Sequence, residues 1–125
     1  MKIVIETIPH AQQRYPTVGD YWIDDDGTMQ VRISDLGNPG YEQAVALHEL
    51  TELFLVLHAG IAIADIDKFD IAFEAARMVE DTDEPGDHPD APYHNQHCYA
   101  TAVERMFMAA MGEKWAHYDK ACLDA

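Results

Sequence analysis

The stretch YEQAVALHELTELFLVLHAG, residues 41–60, decides how the rest of this chain can fold. Its apolar residues lie on nearly every side of a helix, which is typical of a helix at the centre of a domain. Gly60 stands where a helix C-terminus is usually capped, and Gly37-Asn38-Pro39-Gly40 predicts a turn before the helix. The sequence therefore predicts a central helix over residues 41–60.

The N-terminal part of the chain predicts a small sheet. β-branched runs at residues 2–8, 21–23 and 29–33 predict three strands, and Asp26-Gly27 between the last two is a hairpin signal. We expect these strands to form an antiparallel sheet within residues 1–36.

The C-terminal part predicts further helices. Helical patterns cover about 65–80, 94–111 and 113–123, and the proline-containing loop DTDEPGDHPDAPY separates the first two. The expected fold class is therefore α+β: one domain over residues 1–125, in which the sheet packs on about four helices of residues 41–125.

Composition and charge exclude several classes of function. A formal net charge of -15 repels nucleic-acid backbones and anionic lipid surfaces, and no apolar run reaches membrane-spanning length. The two cysteines, Cys98 and Cys122, form no CxxC pair and no disulfide framework. We expect no nucleic-acid partner, no membrane association and a cytoplasmic location.

Three titratable residues interrupt the apolar pattern of the central helix. His48 and Glu52 lie one turn apart on the same face, and Glu49 lies on an adjoining face. Burying an unpaired carboxylate costs several kcal/mol, which is on the order of the stability of a small domain. A divalent metal would compensate these groups, and His48 and Glu52 are candidate ligands of zinc.

The helix that follows the proline-containing loop supplies candidates for a third ligand. His97 is favoured over His94, which lies closer to the helix start. Glu104 shares a helix face with His97, and we expect it beside His97 as an extra ligand or as a carboxylate that orients the imidazole. Three protein ligands leave one position of zinc for water, and Glu49 is the candidate general base that takes a proton from that water.

The segment His48-Glu49-Leu50-Thr51-Glu52 resembles the HExxH helix of zincin metallopeptidases, with Glu52 in place of the second histidine. The resemblance implies a zincin-like core helix, a zinc ion, Glu49 as general base and hydrolysis of a peptide-like bond. The substrate would be a peptide or a small molecule. Tyr93 or Tyr99 would supply an oxyanion donor.

The whole chain also resembles small uncharacterised proteins encoded by tailed phages and prophages. The runs that carry this resemblance are YPTVGDYW, HELTE and EPGDHPDAPYHNQH. The resemblance implies that the protein works in the cytoplasm of a host cell.

Three alternatives to a zinc hydrolase remain open. Glu49 and Glu52 followed by Glu80 and Asp83 resemble the paired acidic motifs of all-helical nucleotide pyrophosphohydrolases, which hold magnesium. A second alternative is a non-catalytic acidic protein that binds a host protein. In a third, His48 and Glu52 only pair with each other or with a core arginine, namely Arg77 or Arg105. The abundance of apolar helix is also compatible with a homodimer.

Overall fold

A computed structural model describes all residues, 1–125, and has an α+β fold in which a small sheet packs on helices, as predicted. The elements in chain order are β1 Ile3–Ile8, β2 Gly19–Ile23, β3 Met29–Ser34, α1 Pro39–Ala59, α2 Ile63–Ala75, α3 His94–Ala110 and α4 Trp115–Leu123. Single 3-10 turns lie at His10–Gln12 and Pro85–Asp87. None of the helices combines the length and hydrophobicity that crossing a lipid bilayer requires.

The sheet is mixed, with strand order β1-β3-β2. β2 and β3 form the predicted antiparallel hairpin, and Gly27 in its turn has a φ of 85°, which favours glycine. The prediction of an antiparallel sheet was wrong for β1, because β1 pairs with β3 in parallel. The connection after β1 crosses the end of β3, where His10 Nδ1 and Ser34 Oγ lie 2.8 Å apart, so the chain reaches the far side of β3 before β2 begins.

Helix α1 begins and ends at the signals that the sequence carries. The Asn38 side chain accepts hydrogen bonds from the backbone N–H groups of Gly40 and Tyr41, and Pro39 occupies the first helical position. Gly60 ends the helix in the left-handed conformation, with a φ of 72°. These two ends fix which residues of α1 face the sheet.

The hydrophobic core lies between α1, the sheet and α3. Its largest fully buried side chains are Tyr118, Ile33, Leu53, Met108, Val31 and Val56. Because α1 packs on the sheet with one side and on α3 with another, its His48–Glu52 face lies between them. The core therefore positions three polar side chains, described below, where apolar residues would be expected.

Helix α2 is shorter than the sequence pattern indicates. It ends at Ala75, whereas the apolar pattern predicts a helix to about residue 80. The Arg77 guanidinium donates hydrogen bonds to the backbone carbonyls of Asp81 and Asp83. These bonds stabilise a non-helical conformation of the segment that follows α2. Glu80 and Asp83 consequently lie beyond the helix, on no common rigid face.

Candidate metal centre

Two helices bring three predicted ligands together. His48 and Glu52 come from α1 and His97 from α3, and all three are buried. Glu52 Oε2 lies 3.1 Å from His48 Nε2 and 3.0 Å from His97 Nδ1. Glu52 Oε1 accepts a hydrogen bond of 2.8 Å from the Tyr21 hydroxyl on β2. One carboxylate thus joins the two helices to the sheet.

The second nitrogen of His48 is held by a carboxylate on α3. His48 Nδ1 donates to Glu104 Oε1 over 2.8 Å, and the other oxygen of Glu104 accepts a hydrogen bond from the Tyr118 hydroxyl on α4. The expectation that Glu104 orients His97 was wrong, since Glu104 contacts His48. Residues 97 and 104 share a face of α3, but that face meets α1 with residue 104 beside residue 48.

The second nitrogen of His97 faces the loop before α3. His97 Nε2 lies 3.0 Å from Glu84 Oε2 and 3.1 Å from Asp87 Oδ1. The other oxygen of Asp87 accepts from the backbone N–H of Glu84, which fixes the turn. A Cβ built on Gly86 would lie 2.3 Å from His97 Cγ, so only glycine allows the backbone to approach the ring this closely.

These contacts set the charges of the cluster. Burial alone would lower the pKa of His48, but hydrogen bonds to Glu104 and Glu52 outweigh it and hold that pKa well above its usual value. Burial opposes the charge of His97 as well, yet Glu52 and Glu84 raise its pKa to about 10. Burial would raise the pKa of Glu52, and the two histidines lower it to about 2. In the absence of a metal, these contacts favour the doubly protonated, cationic form of both imidazoles.

Glu49 lies beside this cluster and accepts no hydrogen bond from any side chain or backbone group. Its carboxylate packs against β2, where a Cβ built on Gly19 would lie 2.5 Å from Glu49 Oε1. The loss of surrounding water and the charge of Glu52 raise the pKa of Glu49 well above its usual value. It is the carboxylate of the centre that has no partner.

The donor atoms fit a divalent metal. Zinc with bonds of about 2.0–2.1 Å holds tetrahedral ligand atoms roughly 3.3 Å apart. The donor atoms of His48, Glu52 and His97 all lie within 4.8 Å of one another, and Glu52 Oε2 is 3.0 Å from the nearer nitrogen. Each imidazole also has a carboxylate on its other nitrogen, which is the usual arrangement around metal-bound histidine. A second group, Glu84, Asp87 and His97, meets the same distance limit but has two exposed members.

A cleft of about 510 Å³ opens beside the cluster and is lined by Glu49, Glu52, His97 and many other polar residues. Thr101, one turn after His97, also lines the cleft. Its Oγ1 is buried and has no hydrogen-bond partner. The arginines of the cleft are engaged elsewhere. Arg77 bonds Glu74, and the Arg105 guanidinium stacks over Trp115 at 4.0 Å, so neither neutralises the cluster.

The remaining predicted residues lie outside the cluster. His94 Nδ1 is 2.9 Å from the backbone carbonyl oxygen of Gly86. Tyr93 is buried and donates over 2.5 Å to Asp70 Oδ1, while Tyr99 is 60% exposed and does not line the cleft. Neither tyrosine has its hydroxyl free in the centre.

Sequence reasoning missed Tyr21, Tyr118 and Asp70. Tyr21 and Tyr118 orient Glu52 and Glu104, and Asp70 accepts from Tyr15 and Tyr93 across the cleft wall. Their partners are 14 to 55 residues away in the chain, so no local pattern reveals them. The only sequence signal was the presence of tyrosines within predicted apolar faces.

Comparisons with known proteins give no further information about the centre. No protein-family model matches the chain, and searches of curated proteins and of solved structures found no match.

Proposed function

We propose that the protein is a zinc-dependent hydrolase that acts on peptide-like bonds. The observation that carries this proposal is the convergence of His48 Nε2, Glu52 Oε2 and His97 Nδ1, each ligand being oriented by a further hydrogen bond. The two imidazole protons that point at Glu52 carry the same charge as one divalent cation. A metal that replaces both leaves the buried charge of the cluster unchanged.

The ligands of the ion would be His48, Glu52 and His97. Zinc, when bound, supplies Lewis-acid activation of a water molecule and of the substrate oxygen. Glu104 holds the His48 ring through Nδ1, and Asp87 and Glu84 hold the His97 ring through Nε2. Because these carboxylates fix both rings, the ligand atoms need little reorganisation to bind.

Glu49 is the proposed general base. Its carboxylate has no hydrogen-bond partner and lines the same cleft as the ligands, so it is free to accept a proton. Burial and the charge of Glu52 raise the pKa of Glu49, so its carboxylate holds a transferred proton more readily than an ordinary glutamate does. No free tyrosine hydroxyl lies in the centre, and Tyr93 or Tyr99 is not assigned as an oxyanion donor.

The test is metal analysis of protein purified without a histidine tag, followed by a substitution series. We expect about one zinc per chain, lost in His48→Ala and in His97→Ala but retained in His58→Ala, which changes an exposed histidine of the same helix. Glu49→Gln keeps the zinc and loses hydrolysis of a fluorogenic peptide pool. If His48→Ala and His97→Ala both retain a full equivalent of zinc, these two histidines are not its ligands.

The other interpretations predict different results. A magnesium-dependent pyrophosphohydrolase would cleave nucleoside triphosphates and retain little metal, but Glu80 and Asp83 lie beyond the end of α2 and no observation favours it. A protein that only binds a host protein would retain no zinc and show no hydrolysis. The two free cysteines, Cys98 and Cys122, favour a reducing, cytoplasmic site of action. The proposed substrate is a peptide or a small molecule.

A further inference from the structure

Helix α1 carries an apolar stripe on the face opposite the metal cluster. Leu47, Leu50, Phe54 and Leu57 recur at intervals of three, four and three, which aligns them along one side of a helix, and the polar Gln43 lies one turn before Leu47 on the same side. Phe54 is 40% exposed and Leu57 36% exposed. Helix α1 thus has one apolar side in the core and another at the surface.

The stripe is free of acidic residues in a strongly acidic protein. The chain has 23 aspartates and glutamates, yet the residues that flank the stripe on α1 are Ala46, Thr51 and His58. Two copies of the chain repel each other over most of their surfaces, but the α1 residues along this stripe contribute no carboxylate to a contact between copies. The neutral character of the stripe therefore suits a second copy of the same chain.

The stripe also has a shape that complements itself. A shallow hollow of about 330 Å³ lies at one end, lined by Gln43, Ala46, Leu47 and Phe107. Phe54 follows Leu47 by seven residues, about 10 Å along the helix. A two-fold axis between residues 50 and 51 would place Phe54 of each copy opposite the hollow of the other, because such an axis pairs position 47 with position 54.

We propose that the protein forms a two-fold symmetric homodimer through antiparallel α1 helices, with Phe54 of each chain seated in the hollow of its partner. The metal clusters lie on the opposite face of α1, so both clefts stay open in the dimer. The dimer does not depend on the proposed hydrolase activity, and either proposal can fail without the other.

Sedimentation equilibrium of the full chain tests this directly. The wild type should sediment at twice its mass of 14.1 kDa. Phe54→Glu should raise the dimer dissociation constant by about 100-fold or more, since it places a carboxylate at the centre of an apolar contact. The matched control is Ile71→Glu, at a residue of α2 that is 55% exposed, and it should leave the dimer intact. A wild type that stays monomeric, or a Phe54→Glu protein that stays dimeric, would overturn the proposal.

Cysteine cross-linking tests the register of the two α1 helices in the dimer. In a Cys98→Ser background, Leu50→Cys should form a disulfide between copies under mild oxidation, since the axis places the two Leu50 positions close together. Gln43→Cys is the control, because its two copies would lie about 22 Å apart along the helix axis. Cross-linking of Gln43→Cys in place of Leu50→Cys would contradict the antiparallel arrangement.

Discussion

Glu52 is the residue on which the centre depends, because it contacts both histidines and the sheet at once. Its Oε2 faces His48 and His97, and its Oε1 accepts from Tyr21. A carboxylate in this position is stable only while its partners stay charged or are replaced by a cation. The tyrosines that orient Glu52 and Glu104 should therefore control how tightly the metal binds.

Removing those tyrosine hydroxyls is the first prediction. Tyr21→Phe frees Glu52, and Tyr118→Phe frees Glu104, so each should weaken zinc binding by about 10- to 100-fold. Tyr99→Phe, which changes an exposed tyrosine of α3, is the matched control and should bind zinc like the wild type. Zinc affinity can be measured by competition with a chromogenic chelator. Equal affinities for all three variants would show that the hydroxyls play no part in orienting the ligands.

The contact between Gly19 and Glu49 supports a second prediction at this scale. Gly19→Ala should cost about 1–3 kcal/mol of unfolding free energy, because its methyl group meets the Glu49 carboxylate. In a Glu49→Ala background the same change should cost close to nothing. Urea denaturation of the four proteins gives the coupling energy. If the Gly19→Ala and Glu49→Ala effects on the unfolding free energy simply add in the double variant, Glu49 does not contact Gly19 of β2.

At the scale of elements, the ends of α1 and the faces of α1 and α3 were predictable. Asn38, Pro39 and Gly60 are local signals for a helix start and end, and the helical spacing of His48 and Glu52 fixed their common face. The partner of Glu104 was not predictable, because spacing gives the face of a helix but not how far one helix slides along another. The parallel pairing of β1 was missed for a similar reason: a strand pattern does not reveal its neighbour.

The loop before α3 is the element that closes the centre over His97. Gly86→Ala should push this loop away, since its Cβ would lie 2.3 Å from His97 Cγ, and both stability and zinc affinity should fall. The expected loss of stability is about 1–3 kcal/mol. Gly40→Ala, in the first turn of α1, is the control: its Cβ would lie 3.3 Å from the capping Asn38 Oδ1, so stability can shift slightly, but zinc affinity should equal that of the wild type. Thermal unfolding with and without zinc measures both effects. Unchanged zinc binding in Gly86→Ala would show that the loop carboxylates do not support the ligand.

For the whole molecule, the charged cluster links folding to pH. The pKa of His97 is about 10 in the folded protein and about 6.5 when unfolded, so its contribution to stability is complete below pH 6.5 and disappears as the pH rises towards 10. The metal-free wild type should lose on the order of 2–4 kcal/mol more than His97→Gln over this interval. Urea denaturation at several pH values in the presence of a chelator measures the difference. Parallel pH profiles for the two proteins would contradict the assigned ion pairs.

Zinc binding should become tighter over the same pH interval. The metal must displace protons from His48 and His97, whose pKa values both lie above their usual range, so a rising pH removes its competitors. Isothermal titration calorimetry in buffers of different ionisation enthalpy counts the released protons. If zinc binding at pH 7 releases no protons, the two imidazoles are not the ligands.

The proposed metal centre is tested most directly by locating zinc in crystals of the untagged protein, through anomalous scattering at the zinc absorption edge. We predict one strong peak between His48 Nε2, Glu52 Oε2 and His97 Nδ1. A peak among Glu84, Asp87 and the outer nitrogen of His97, or no peak at all in crystals soaked with zinc, would contradict it.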